Sequence, residues 1–144
     1  MSTKSKQKGT TAEREVVRYL QQWWPTAERR ALSGNKDKGD VAGIPGVVVE
    51  VKAAQTQLLT KWQKETAAEQ ANAGARLCML VVKRPYKPVP VWDAYLPIGQ
   101  LPVEFQHFPA AGKGHLEWVR VDLFLGAQFL RFLSPPSSPT TAWT

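Results

Sequence analysis

The chain is short of the residues on which many enzyme chemistries draw. It has one cysteine, Cys78, so no internal disulfide can form and no thiolate cluster can hold zinc. Cys78 lies in the apolar run 77–82, where core packing is its natural role. The two histidines, His107 and His115, have no metal-ligand partner at helical spacing. The phosphate-loop pattern G-x-x-x-x-G-K-[ST] is missing, so no nucleotide cofactor is expected. No apolar run approaches the roughly 20 residues of a membrane span, and no signal-peptide core follows the basic start MSTKSKQKG. A reducing cytosol is the expected setting. Negative charge is also scarce. Twelve Asp and Glu stand against 19 Lys and Arg, a net +7, which suits a polyanionic partner such as nucleic acid or an anionic membrane surface.

What is present reads as one domain. Residues 1–9 are expected to be a basic flexible arm carrying Lys4, Lys6 and Lys8. Thr10-Thr11-Ala12-Glu13 is a capping-box pattern, predicting a helix from about Thr11 to Trp24 that stops before Pro25. Residues 26–32 can be extended, and 33–39 form a polar loop. Asp40–Ala42 and Val47–Lys52 read as strands joined by the turn 43–46. Leu58–Ala73 reads as a helix ended by Gly74, and Leu77–Lys83 as a buried strand. The order predicts a mixed sheet with helices on both faces. Prolines interrupt the chain after Arg84. Strands are expected at 91–96 and 118–124, a short helix at 126–133, and a disordered tail at 134–144. Residues 10–133 thus form a single domain, with a core over 10–85 and an extension over 86–133.

The stretch GDVAGIPGVVVEVK carries the chemistry. Side chains alternate along a strand, so Val47, Val49 and Val51 share one face and Val48, Glu50 and Lys52 the other. Two opposite charges on an otherwise apolar strand need a task or a partner. Asp40 shares their face if it stands directly across from Glu50, which requires an odd turn or a bulge around 43–46. On the first helix, at about 100° per residue, Glu13 falls within the stripe of Val16, Val17, Leu20 and Trp24, facing the sheet. Its simplest role is to close the capping box through the Thr10 N–H. An inward glutamate near Asp40 and Glu50 can also complete a metal site. A lone Glu-x-Lys carries no weight, being a common solvated ion pair.

The segments KGTTAEREVVRYL, ALSGNKDKGDVAG and VVVEVK resemble the PD-(D/E)XK nuclease superfamily, and within it archaeal-type and phage Holliday-junction resolvases. The resemblance covers about residues 8–85 and includes Lys8-Gly9, Ala12-Glu13-Arg14, Gly39-Asp40 and Glu50-Val51-Lys52. Gly39 stands where the superfamily has a proline. The resemblance implies an α/β fold, a restriction-endonuclease-like α/β/α core with a central mixed β-sheet. It implies a catalytic set of Glu13, Asp40, Glu50 and Lys52. Mg²⁺, with Mn²⁺ as a substitute, would be held by Asp40, Glu50, the Val51 carbonyl and Glu13. Arg30 and Ser33 correspond to the family's basic and hydroxyl residues ahead of the aspartate. Gln70, or else Gln63 or Lys64, corresponds to a polar residue on the helix after Glu-x-Lys.

The function implied is a metal-dependent, structure-selective DNA endonuclease that resolves four-way junctions by paired symmetric nicks, leaving 5′-phosphate and 3′-hydroxyl ends. The setting implied is a prokaryotic or phage-infected host cytosol. Two nicks related by two-fold symmetry favour a homodimer. Lys4, Lys6, Lys8, Arg29, Arg30, Lys36 and Lys38 would contact phosphates, with Ser33 and Gln70 as further DNA contacts. If about six such contacts form, log K falls against log[salt] with a slope of roughly −5. Two alternatives stay open: a related nuclease for flaps, mismatches or duplexes, and a non-catalytic DNA-binding module.

Overall fold

The computed structural model describes residues 3–30, 38–104 and 117–134. The expected disordered tail falls outside these residues, Ser134 excepted, as do Ser33 and Lys36.

β3 (Val47–Lys52) and β4 (Leu77–Val82) form the centre of the sheet. Both are built from residues that suit a pleated, buried surface. They run parallel, Val47 beside Leu77 through Lys52 beside Val82. A parallel pair needs a crossover, and α2 (Leu59–Ala73) supplies it. Gly74 ends α2 in the left-handed conformation at φ +62°, as its position in the sequence predicts. β1 (Glu28–Arg29) and β2 (Val41–Ala42) add antiparallel on one side, and β5 (Asp93–Pro97) and β6 (Trp118–Asp122) on the other. The strand order is β1-β2-β3-β4-β5-β6, so sequence order equals spatial order. Among the described strands the sheet is mixed and mostly antiparallel.

α1 (Thr3–Leu20) begins well before Thr10. Residues 3–9 are therefore helical, not a flexible arm. Lys and Gln are good helix formers and no proline interrupts them, so the helix propagates past the local capping signal. Thr10 lies inside the helix, and the capping-box role for Glu13 falls away. α1 gives way to turns after Leu20, with Trp23 and Trp24 N–H groups both donating to the Leu20 carbonyl at 3.0 and 2.9 Å. α3 (Leu123–Leu133) also starts earlier than expected. Asp122 ends β6 and caps α3, its Oδ1 accepting from the Leu125 N–H at 2.8 Å.

The helices divide between the faces. Val47, Val49, Val51, Leu77, Met79 and Val81 pack with Val16, Leu20, Leu123, Ala127 and Leu130 of α1 and α3. Gly126 allows the close approach of α3. A Cβ there would meet Met79 Sδ at 2.9 Å and Ala94 Cβ at 3.0 Å. On the opposite face a smaller cluster of Trp62, Leu80, Val82 and Tyr95 lies under α2. Residues 93–97 and 118–122 belong to the same sheet as the predicted core. Among the described residues no helix is long and apolar enough to cross a membrane.

Candidate active site

Asp40 sits where the ladder between β2 and β3 breaks. Val41 pairs with Val49, a register with the parity the sequence reading required. The Asp40 N–H also donates to the Val49 carbonyl at 2.9 Å, so Asp40 and Val41 both face Val49 in the two-against-one arrangement of a bulge. The Asp40 carboxylate then accepts from the Val51 N–H at 2.8 Å. A side-chain oxygen thereby fills the position that a longer β2 would have filled with backbone. Asp40 does not simply share the Glu50 face. It lies at the edge of the ladder, in contact with Glu13 from α1 and with Glu50.

Gly39 adopts a backbone conformation that a proline could not take. Its φ of +93° is closed to proline, whose ring holds φ near −65°. A Cβ at Gly39 would also press on Val48 Cγ1 at 2.9 Å and the Val49 carbonyl at 3.1 Å.

Glu50 points toward α2 and is 3 % exposed. Its Oε1 is buried with no hydrogen-bond donor among the described residues. Its neighbours there are Asp40 and Glu69, and carboxyl groups hydrogen-bond one another only when one carries a proton. Burial and these two carboxylates push Glu50 far above the ordinary carboxylate range. Glu13 rises from 4.5 to about 7, first through burial and then through Asp40, with Arg29 opposing. The Arg29 Nε lies 3.7 Å from Glu13 Oε1.

Lys52 supplies the local positive charge. Its Nζ lies 3.5 Å from Glu50 Oε2 and 3.1 Å from Glu65 Oε2. Burial disfavours the ammonium, but Glu50, Glu65 and Asp40 outweigh it and the net shift is upward. Lys52 thus remains protonated in the neutral range.

The sequence reading missed Glu65 and Glu69. Both lie on α2, and Glu69 is 3 % exposed. The signal was present, because Trp62, Thr66 and Glu69 recur at helical spacing and form the buried stripe of α2. A carboxylate holds an apolar position there. Gln70, the expected polar residue of this helix, instead donates to the Ala75 carbonyl at 3.3 Å beyond the helix end. Gln63 is half-buried and Lys64 exposed.

The expected DNA contacts are dispersed. Lys8, Arg29 and Lys38 are exposed. The Arg30 N–H donates to the Asp40 carbonyl at 2.8 Å, and its Nε is buried with no partner among the described residues. Lys4 and Lys6 lie on the first turns of α1.

Hard oxygen donors dominate the cluster, the donor type suited to Mg²⁺ or Mn²⁺. As the side chains stand, no three carboxylate, histidine or cysteine groups among the described residues converge tightly enough to hold an ion. No protein-family model, curated protein or solved structure matches this chain. The fold and the cluster therefore carry the functional reading by their own chemistry.

Proposed function

We propose that the protein is a metal-dependent DNA endonuclease with a restriction-endonuclease-like core, acting on four-way junctions as a homodimer in the cytosol. One observation carries the reading: a buried Glu50 oxygen without a donor lies beside Asp40, with Lys52 Nζ at 3.5 Å from the same carboxylate. Stability alone gives no reason to bury like charges together. A cation offsets that repulsion, and the oxygen donors fit Mg²⁺.

Asp40 and Glu50 would hold the ion, with the Val51 carbonyl and Glu13 contributing. When bound, the ion supplies positive charge against the scissile phosphate and acidifies water. Lys52 remains protonated and places its ammonium where charge accumulates on the phosphate. Glu65 steers Lys52 from the α2 side. Glu13, with its proton affinity near neutrality, can hold or release a proton beside Asp40.

The test is Mg²⁺-dependent cleavage of a labelled immobile four-way junction and of a linear duplex of the same sequence. Paired symmetric nicks on the junction, absent from the duplex and from Asp40→Ala, are expected. Equal cutting of both DNAs would leave a nuclease of another specificity. The open spacing of the carboxylates favours a second reading, a DNA-binding module without catalysis. Tight junction binding without cutting would select it.

A further inference from the structure

The turn between β4 and β5 carries an observation that the carboxylate cluster does not absorb. Tyr86 is 104 % exposed and has a φ of +64°, the one positive-φ non-glycine among the described residues. An aromatic ring in open solvent is unfavourable, and the left-handed conformation adds strain at a residue with a Cβ. Nothing in the packing demands either.

The turn is nonetheless held firmly. The Lys87 N–H donates to the Arg84 carbonyl at 3.2 Å, and Trp92 Nε1 donates to the Lys87 carbonyl at 2.9 Å. Lys83 Nζ lies 5.5 Å from the Trp92 ring centroid, and Arg84 Nη1 donates to the Val91 carbonyl at 3.3 Å. Pro85 and Pro88 fix φ on both sides of Tyr86. Its neighbours Arg84 and Lys87 are exposed cations, and no acidic residue lies between Lys83 and Trp92.

Its place in the fold matters most. The Lys83 N–H donates to the Lys52 carbonyl at 2.9 Å, so the turn leaves the sheet beside Lys52. Three residues reach at most about 11 Å, which bounds the separation of the Tyr86 and Lys83 Cα atoms. A rigid aromatic flanked by cations, on the turn that follows the strand paired with Lys52, fits a base together with its flanking phosphates.

We propose that Tyr86 is a base-stacking residue for DNA whose bases are unpaired or splayed apart, with Lys87 and Arg84 on the adjoining phosphates. The assignment rests on the proposed DNA substrate, but it does not require cleavage. Every base offers a ring face, so stacking tolerates sequence and responds to whether a base is free.

The test measures equilibrium binding of labelled DNA in EDTA, so that cleavage plays no part. The probes are a single-stranded oligonucleotide, an immobile four-way junction and a linear duplex. Stacking of one base is worth about 1–3 kcal/mol, so Tyr86→Ala should weaken binding of the single strand and the junction by about 5- to 150-fold. Tyr86→Trp should restore it to within about twofold, and duplex binding should change by less than about twofold. Lys87→Ala should lower the magnitude of the salt slope by about one, whereas Tyr86→Ala should leave the slope unchanged. Unchanged binding of single strand and junction by Tyr86→Ala, or an equal loss on the duplex, would overturn the proposal. Failure of the wild-type protein to bind any of the three DNAs would overturn it together with the nuclease reading. Tyr86-dependent binding by a wild-type protein that never cuts would sink the nuclease reading alone.

Discussion

The two faces of β3 are one residue apart in sequence and opposite in purpose. Val47, Val49 and Val51 enter a continuous apolar core under α1 and α3. Glu50 and Lys52 point the other way, into a layer under α2 where Glu65 and Glu69 join them. Both faces are covered, so burial alone does not distinguish them. The difference lies in whether the buried groups satisfy one another. The valines need only contact, whereas the carboxylates lie against like charge. A shift of one residue along β3 would exchange the two sets, so the chemistry on one face relies on the apolar core to fix the register.

Charge on the apolar face should give the largest effect. Val49 is 0 % exposed, and Val49→Asp should destabilise the protein by about 4 kcal/mol or more, enough to unfold much of it. Chemical denaturation followed by circular dichroism measures this, and a small loss would mean that the two faces are less distinct than described. Gly39→Ala tests the hinge between them. The clash with Val48 and the positive φ should cost about 2–3 kcal/mol and displace Asp40, which denaturant melts and loss of Mg²⁺-dependent cutting would both report.

Removing charge from the polar face should do the reverse. Glu13 and Glu50 bind protons more tightly in the folded chain than in the unfolded one. The folded state then holds more protons above the unfolded pKa, and stability falls as pH rises. For Glu13 the window runs from 4.5 to about 7, while for Glu50 it continues upward. Glu50→Gln should therefore gain on the wild type as pH rises from 5 to 8 without divalent cation, by up to about 1.4 kcal/mol per pH unit. It should also lose cleavage. Parallel pH profiles of stability for the two proteins would remove the case for repulsion. Tyr86→Gly should give the smallest change, a gain of about 1 kcal/mol from relief of the left-handed backbone, read as a modest rise in Tm.

Much of this architecture was legible before the structure. The β-branched runs 47–52 and 77–82 became adjacent central strands, and Gly74 ended α2 as its position implied. The inward turn of Glu13 followed from the periodicity of α1. The start of α1 did not, because a capping box is a local signal and helix-forming Lys and Gln residues override it. The site of Asp40 was half legible. Parity restricted its register, but the bulge that turns its carboxylate onto the Val51 N–H depends on tertiary pairing. Glu65 and Glu69 were hidden by reading α2 only for its ends, when its buried stripe already contained an acid.

The order of strands across the sheet is the order of strands along the chain. Every residue of the carboxylate cluster precedes β4, the strand that completes the parallel pair. During synthesis, N-terminal segments leave the ribosome first. The repelling carboxylates are therefore all present in the nascent chain before β4 can lock the register that buries them. The carboxylates of the cluster are thus carried by one stretch of chain and their closure by another, so a chain cut before β4 would hold every one of them and lack the strand that completes the parallel pair.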